Sequence, residues 1–126
     1  MTTVVPLHFS EATNRALYLL TCEEELFYVV ICRHNIDNHF CGYVNLERKD
    51  WNKVPDEIGL KAGVSYEGIG SSILSVPPTI TKTLPIPEKD YWVGVDYFEK
   101  TEPKPEEIID RLKALATFAI RFRDHD

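Results

Sequence analysis

The sequence predicts an α+β fold, in which an antiparallel sheet of about five strands packs one face against a single long C-terminal helix. Two observations predict it: a hairpin pattern between residues 26 and 46, and an apolar stripe at helical spacing after Pro105. Of the 126 residues, 44% are hydrophobic and 27% are charged, as in an ordinary globular domain. A chain of this length forms one core, so residues 1–126 are expected to be a single domain.

Two runs rich in β-branched and aromatic residues flank a short polar turn. The runs cover residues 27–34 and 39–46, and the turn is Asn35-Ile36-Asp37-Asn38. Because Asn and Asp tolerate the backbone of a tight turn, this pattern predicts an antiparallel hairpin. Side chains alternate between the two faces of a strand, so one face is apolar and the other is polar-aromatic. The apolar face carries Phe27, Val29, Ile31, Phe40, Val44 and Leu46, and the polar-aromatic face carries Tyr28, Val30, Tyr43 and Asn45.

Four residues of metal-ligand type fall on the predicted polar-aromatic face. A turn centred on the polar segment pairs residues whose numbers sum to 73, which places Cys32 opposite Cys41 and His34 opposite His39. A zinc site is one interpretation, but structural zinc sites usually take ligands from turns with C-x-x-C spacing. We favour two buried thiols beside two hairpin-end histidines, and we expect no metal or other cofactor.

The end of the chain predicts a helix from Pro105 to about Arg123. Proline suits the first helical turn, and the acidic Glu106 and Glu107 complement the positive end of the helix dipole. Apolar residues then recur at spacings of three and four, and the apolar face of the hairpin supplies the surface that this stripe needs. The stripe consists of Ile108, Ile109, Leu112, Leu115, Ala116, Ala119 and Ile120.

Shorter β-rich runs complete the predicted sheet. In one of them, alternation places Val64 and Tyr66 on the same face. Pro6 lacks a backbone donor, so the run around it is expected at an edge of the sheet. The runs cover residues 4–9, 15–22, 63–68 and 91–98.

Three polar or proline-rich segments are expected to connect the strands. The acidic residues 23–25 form a solvated turn. Residues 47–63 form a polar loop, and the side chain of Trp51 is expected to anchor this loop to the body of the domain. Residues 69–90 hold four prolines and are expected to be an extended arm or a long loop.

The charge and the cysteine content bound the function. A net charge of −6 argues against binding to the backbone of a nucleic-acid polymer. No apolar run has the length of a membrane span, and no signal-peptide pattern opens the chain. Three cysteines without C-x-x-C spacing favour a reducing cytoplasm over a secreted disulfide framework.

Three short motifs occur in order: CGYV at residues 41–44, AGVSY at 62–66 and YWVGVD at 91–96. Followed by a terminal helix, they resemble a family of small hypothetical phage and prophage proteins with CGYV, GG-Leu-Thr-Tyr and WWxGFD patterns. The resemblance covers about residues 26–125 and implies a phage-type accessory role, in the host cytoplasm, rather than a reaction. The chain departs from the pattern at Ala62, Val95 and residues 97–99, so no site beyond Asp96 is carried over.

Aromatic and arginine side chains are the candidate ligand-binding residues. Aromatic walls with a few fixed polar groups are typical of small-molecule pockets, and an arginine between aromatics can stack a base and pair with a phosphate. The alternative is that the arm or a second subunit covers the aromatic face and that the helix flank is solvated or packs in a dimer. The candidates are Tyr43, Tyr66, Trp92 and Asp96 in the sheet, and Arg111, Phe118 and Arg123 on the helix.

No nucleophile elbow, zinc-protease motif or P-loop occurs, so the sequence favours binding over catalysis. We therefore expect a non-enzymatic protein that binds or sequesters a small molecule; a nucleotide signal of host defence suits the arginines and aromatics. The alternative is a protein-interaction module or inhibitor that acts as a homo-oligomer. An enzyme that uses Cys41 or His34 is the third interpretation. No membrane partner is expected.

Overall fold

A computed structural model of the protein describes residues 2–10, 15–33, 40–69, 91–97 and 105–123. The predicted arm beyond Ile69, the hairpin turn and both of its histidines lie outside these residues. The strands are β1 (Thr2–Ser10), β2 (Arg15–Cys22), β3 (Glu25–Arg33), β4 (Phe40–Leu46), β5 (Val64–Ile69) and β6 (Tyr91–Tyr97). The helices of the described ranges are α1 (Arg48–Trp51), α2 (Asp56–Lys61) and α3 (Pro105–Arg123), and none of them is long and apolar enough to cross a membrane.

The six strands form one sheet in the order β1-β2-β3-β4-β6-β5, and every neighbouring pair is antiparallel. With α3 against one face, this confirms the predicted α+β class, with six strands where about five were expected. The hairpin register is also as predicted, because Cys32 pairs with Cys41 and Val29 with Val44.

The main core lies between the apolar face of the sheet and α3. Val93 and Val95 on β6 extend the apolar face of the hairpin. The apolar side chains of β3, β4 and β6 therefore face α3 together. Ile108, Leu112 and Leu115 of α3 are fully buried against it, as the helical stripe predicted. The helix therefore begins, ends and faces the sheet as expected.

A second, smaller apolar cluster lies on the polar-aromatic face. Its buried members are Leu17, Tyr28, Val30 and Trp92. The polar-aromatic face is therefore not a bare surface at its centre, because Tyr28 and Trp92 are almost inaccessible to solvent.

Residues 47–63 contain two short helices where the sequence suggested an irregular excursion. Trp51, at the end of α1, is buried, which confirms that it anchors this segment to the body of the domain. Its indole Nε1–H donates a hydrogen bond to the carboxylate of Glu67 on β5. The helices were missed because four and six residues are too few to show a helical stripe.

The expected alternation in β5 is wrong, because its register against β6 shifts between Val64 and Tyr66. A bulge of this kind places an extra residue in one strand and turns the following side chains to the other face. Val64 packs into the main core, whereas Tyr66 contacts Tyr43 on the polar-aromatic face.

Candidate functional site

A depression lies between the end of α2 and the flank of α3, and we refer to it as the α2–α3 groove. Its volume is about 520 Å³, within the range typical of sites for small molecules. It is lined by Ile58, Lys61, Ala62, Arg111, Ala114 and Phe118.

The α3 wall of the groove follows from helical spacing. Arg111, Ala114 and Phe118 are three and four residues apart, so they share one flank beside the buried stripe. Phe118 is half-buried against the core, whereas Arg111 is exposed. The small Ala114 lies between them and leaves the space that forms the groove.

The α2 wall depends on how this short helix ends. The N–H of Ala62 still donates to the carbonyl of Ile58, at 3.0 Å, and the chain then turns into β5 at Gly63, whose φ is +81°. Only glycine adopts this left-handed conformation readily. A Cβ atom at Gly63 would also lie 3.1 Å from Nη1 of Arg111, so the bare backbone leaves room for the guanidinium.

The groove combines an apolar floor with two cationic side chains. Ile58, Ala62 and Phe118 supply apolar surface, and Lys61 and Arg111 place positive charge at the rim. The described lining includes no Ser, Cys, His, Asp or Glu side chain. The arrangement can therefore hold an anion with an apolar or planar part.

The structure brings two of the predicted ligand residues, Arg111 and Phe118, together in this groove. Three others lie on the opposite face of the sheet: Tyr43 and Tyr66 meet edge to face with ring centroids 5.5 Å apart, and Trp92 is 3% exposed. Asp96 occupies the position opposite Cys41 in the register of β4 and β6. The sheet separates Tyr43, Tyr66 and Trp92 from the groove.

Arg123, the remaining predicted ligand residue, lies at the end of α3 outside the groove. Its guanidinium lies 2.6 Å from the carboxylate of Glu25. The Nζ atom of Lys53 donates to the backbone carbonyl of Arg123, also at 2.6 Å. These contacts join the helix end to the sheet and to the turn that follows α1.

Two of the four residues of the zinc interpretation are described. Cys32 and Cys41 are both buried and lie directly opposite each other in the register of β3 and β4. The remaining two, His34 and His39, lie outside the described residues. Within the described ranges, no group of three or more His, Cys, Asp or Glu residues is arranged to hold a metal ion.

Sequence reasoning missed Lys61 and Ile58, because α2 was interpreted as part of a loop. The signal that could have found the helix lies at its two ends. Pro55 precedes two acidic residues, and Gly63 comes two residues after Lys61, which lies in the last turn of the helix. This sequence of proline, acids, a basic residue and glycine marks the start and the stop of a short helix.

No family model matches the chain, and comparison with curated proteins and with solved structures returned no match.

Proposed function

We propose that this protein binds a small anionic ligand with a planar ring, of which a nucleotide is the fitting class, in the α2–α3 groove. The observation that carries the proposal is the meeting of Arg111, Lys61 and Phe118 around one depression of about 520 Å³. A flat apolar wall beside two cations matches a molecule that is aromatic at one end and anionic at the other.

The two cations have different tasks. The planar guanidinium of Arg111 can pair with two oxygens of a phosphate at once, whereas the ammonium of Lys61 acts as a point charge. The chain carries a net charge of −6, so its overall field repels an anion. Binding must therefore depend on these two local charges and on contact with Phe118.

The biological role that we propose is sequestration. Sequestration requires a site that binds its ligand without converting it, and the described lining of the groove carries no Ser, Cys, His, Asp or Glu side chain. The resemblance of the CGYV, AGVSY and YWVGVD motifs to phage proteins supports a nucleotide signal of host defence as the molecule that is removed from solution.

Titration calorimetry with ADP, cyclic nucleotides and ADP-ribose tests the proposal. The Arg111→Ala variant should bind at least about tenfold more weakly, because it loses a hydrogen bond between charged groups. Arg111→Lys should recover part of that loss. Arg121→Ala is the matched control, since Arg121 is exposed on the same helix and does not line the groove.

A variant of the apolar wall separates ring recognition from charge. Phe118→Leu keeps an apolar side chain but removes the flat aromatic surface. It should therefore lower the affinity for nucleotides more than the affinity for inorganic phosphate. Equal affinities for wild type, Arg111→Ala and Phe118→Leu would place the ligand elsewhere. No binding of any nucleotide would reject the proposal.

The second candidate is an interaction module that acts as a homo-oligomer, and the edge strand β1 favours it. Val5 and Phe9 on this strand are 49% and 55% exposed. An edge strand with apolar side chains can pair with a strand of another molecule. Light scattering would then show an oligomer that Val5→Lys dissociates; a monomer at all concentrations would reject this candidate.

A further inference from the structure

A second depression lies on the other side of α2, and we refer to it as the acidic pocket. Its volume is about 380 Å³, and it shares no lining residue with the α2–α3 groove. The lining residues that bear on binding are Trp51, Val54, Asp56, Gly59, Leu60 and Glu67.

Apart from two carboxylates, the side chains that line the acidic pocket are apolar or indole. Trp51 and Val54 are buried and form its base, and Gly59 lies beside the indole, where an added Cβ would be 3.6 Å from Cζ2 of Trp51. Leu60 is 76% exposed at the rim, more than any other large hydrophobic residue of the described ranges. A ligand seated here would cover apolar surface that now contacts water.

Among the described residues, the charged groups that line the acidic pocket are the carboxylates of Asp56 and Glu67, without a basic side chain beside them. The indole of Trp51 donates to Oε1 of Glu67 and so orients this carboxylate. Burial raises the pKa of the neighbouring Tyr91, and the negative charge of Glu67 raises it further. Arg48, whose guanidinium carbon lies 5.9 Å from the centre of the Tyr91 ring, opposes that effect.

We propose that the acidic pocket binds a primary ammonium group carried on a short aliphatic chain. The ammonium would lie near Glu67 and Asp56, and its methylene groups would contact Leu60 and the other apolar walls. The net charge of −6 favours the approach of a cation, in contrast to the anion proposed for the groove.

Two sources share this chemistry: a free alkylamine and a lysine side chain presented by another protein. Their affinities distinguish them. If n-butylamine binds more tightly than the blocked amino acid Nα-acetyl-lysine methylamide, a free amine is the ligand. If the blocked lysine binds as tightly or more tightly, the source is a protein.

The indole N–H signal of Trp51 in N–H correlation NMR spectra reports on the site directly. The sequence has two tryptophans, and Trp92 lies on the opposite face of the sheet, so its indole signal is the internal control. Titration with n-butylamine should shift the Trp51 signal to saturation and leave the Trp92 signal in place. The neutral analogue 1-butanol should produce no saturable shift.

A charge-removing variant completes the test. Glu67→Gln keeps an oxygen that can accept the hydrogen bond from Trp51. Its affinity for butylamine should nevertheless fall by about tenfold or more, since the negative charge of the carboxylate is lost. Glu57→Gln is the matched control and should bind like wild type, because Glu57 is exposed on α2 and is not among the residues that line the pocket.

Three outcomes overturn the proposal: no saturable shift at Trp51, an equal response to butanol, or equal affinity in Glu67→Gln. None of them bears on nucleotide binding in the α2–α3 groove, because the two depressions have separate linings.

Discussion

The guanidinium of Arg123, at the end of α3, lies 2.6 Å from the carboxylate of Glu25, the first residue of β3. The same arginine accepts a hydrogen bond at its carbonyl from Lys53. Cations near a helix C-terminus are favourable, because they offset the negative end of the dipole and satisfy its last carbonyls. Arg123 therefore joins three segments of the chain, and this role accounts for its conformation without a ligand.

Replacing Arg123 with Ala should lower the free energy of unfolding by about 0.5–1 kcal/mol. The magnitude is small because the two side chains are 36% and 25% exposed, so solvent screens the pair. Urea unfolding measures the change, and Arg121→Ala should stay within about 0.5 kcal/mol of wild type. Nucleotide affinity should not change. Loss of affinity at unchanged stability would return Arg123 to the ligand site.

The sheet and the long helix were predictable because each leaves a periodic pattern long enough to read. Residues 26–46 contain two strand patterns, so a single choice of centre determined every predicted pair, including Val29 with Val44, which the structure confirms. The stripe on α3 spans several helical turns and admits one buried face.

The bulge in β5 and the two short helices could not be predicted in the same way. A bulge changes the alternation after one residue, and nothing in the pattern before Ser65 announces it. Tyr66 was therefore predicted on the same face as Val64, whereas it lies on the polar-aromatic face. For α1 and α2, end signals were available, but the apolar periodicity was not.

The candidate site was half predictable for the same reason. Arg111 and Phe118 were assigned to one flank of α3 from spacing alone. Their partner Lys61 comes from α2, so it could be assigned only once the contact between the two helices was known. Trp92 was also proposed to contact this ligand. Its side chain lies on the polar-aromatic face of the sheet, whereas the groove lies on the side of α3, so one small molecule cannot contact both.

Gly42 on β4 allows α3 to lie close to the sheet. A Cβ at this position would be 2.5 Å from Cγ2 of Ile108 and 3.0 Å from Cδ1 of Leu112. Gly42→Ala should therefore destabilise the protein by about 1–3 kcal/mol through overpacking. Chemical denaturation measures this. Ile108→Ala removes the crowding Cγ2, so the loss of stability in the double variant Gly42→Ala/Ile108→Ala should be smaller than the sum of the two single losses. Additive losses would mean that the strain lies elsewhere.

The turn between β2 and β3 uses two non-glycine residues with positive φ. Glu23 has φ of 50° and Glu24 has φ of 67°, a conformation that favours Asn and Gly in two-residue hairpin turns. Glu24→Gly should therefore raise the free energy of unfolding, by up to about 1 kcal/mol. Thermal denaturation measures the gain, and Glu57→Gly in α2 should destabilise instead, because glycine is a poor helix former. A loss of stability in Glu24→Gly would show that the positive φ of Glu24 does not strain the turn.

The hydroxyl of Tyr28 is buried on the polar-aromatic face and has no hydrogen-bond partner in the part of the chain that the structure describes. Burial raises the pKa of this phenol. An unsatisfied buried polar group is costly, so Tyr28→Phe should leave the stability unchanged or raise it by about 1 kcal/mol. Calorimetric unfolding of the two proteins decides this. A clear loss in the Phe variant would show that the hydroxyl has a partner.

Asp50 provides a prediction for the pH dependence of stability. Burial at the end of α1 is the main cause that raises the pKa of its carboxyl group. Glu47 and Glu25 add to the effect, while Arg123 and Lys49 oppose it. A carboxyl group with a raised pKa in the folded state binds its proton more tightly there than in the unfolded chain. Stability is therefore lost as the pH rises through the raised pKa.

Asp50→Asn removes that titration without changing the size of the side chain. The variant should be more stable than wild type at neutral pH, and the difference should vanish below the ordinary carboxyl pKa of about 3.9. Urea denaturation at a series of pH values measures the difference. In an Arg123→Ala background the same transition should move to higher pH, because Arg123 lowers the pKa of Asp50. A difference that does not depend on pH would mean that Asp50 contributes through packing rather than through its charge.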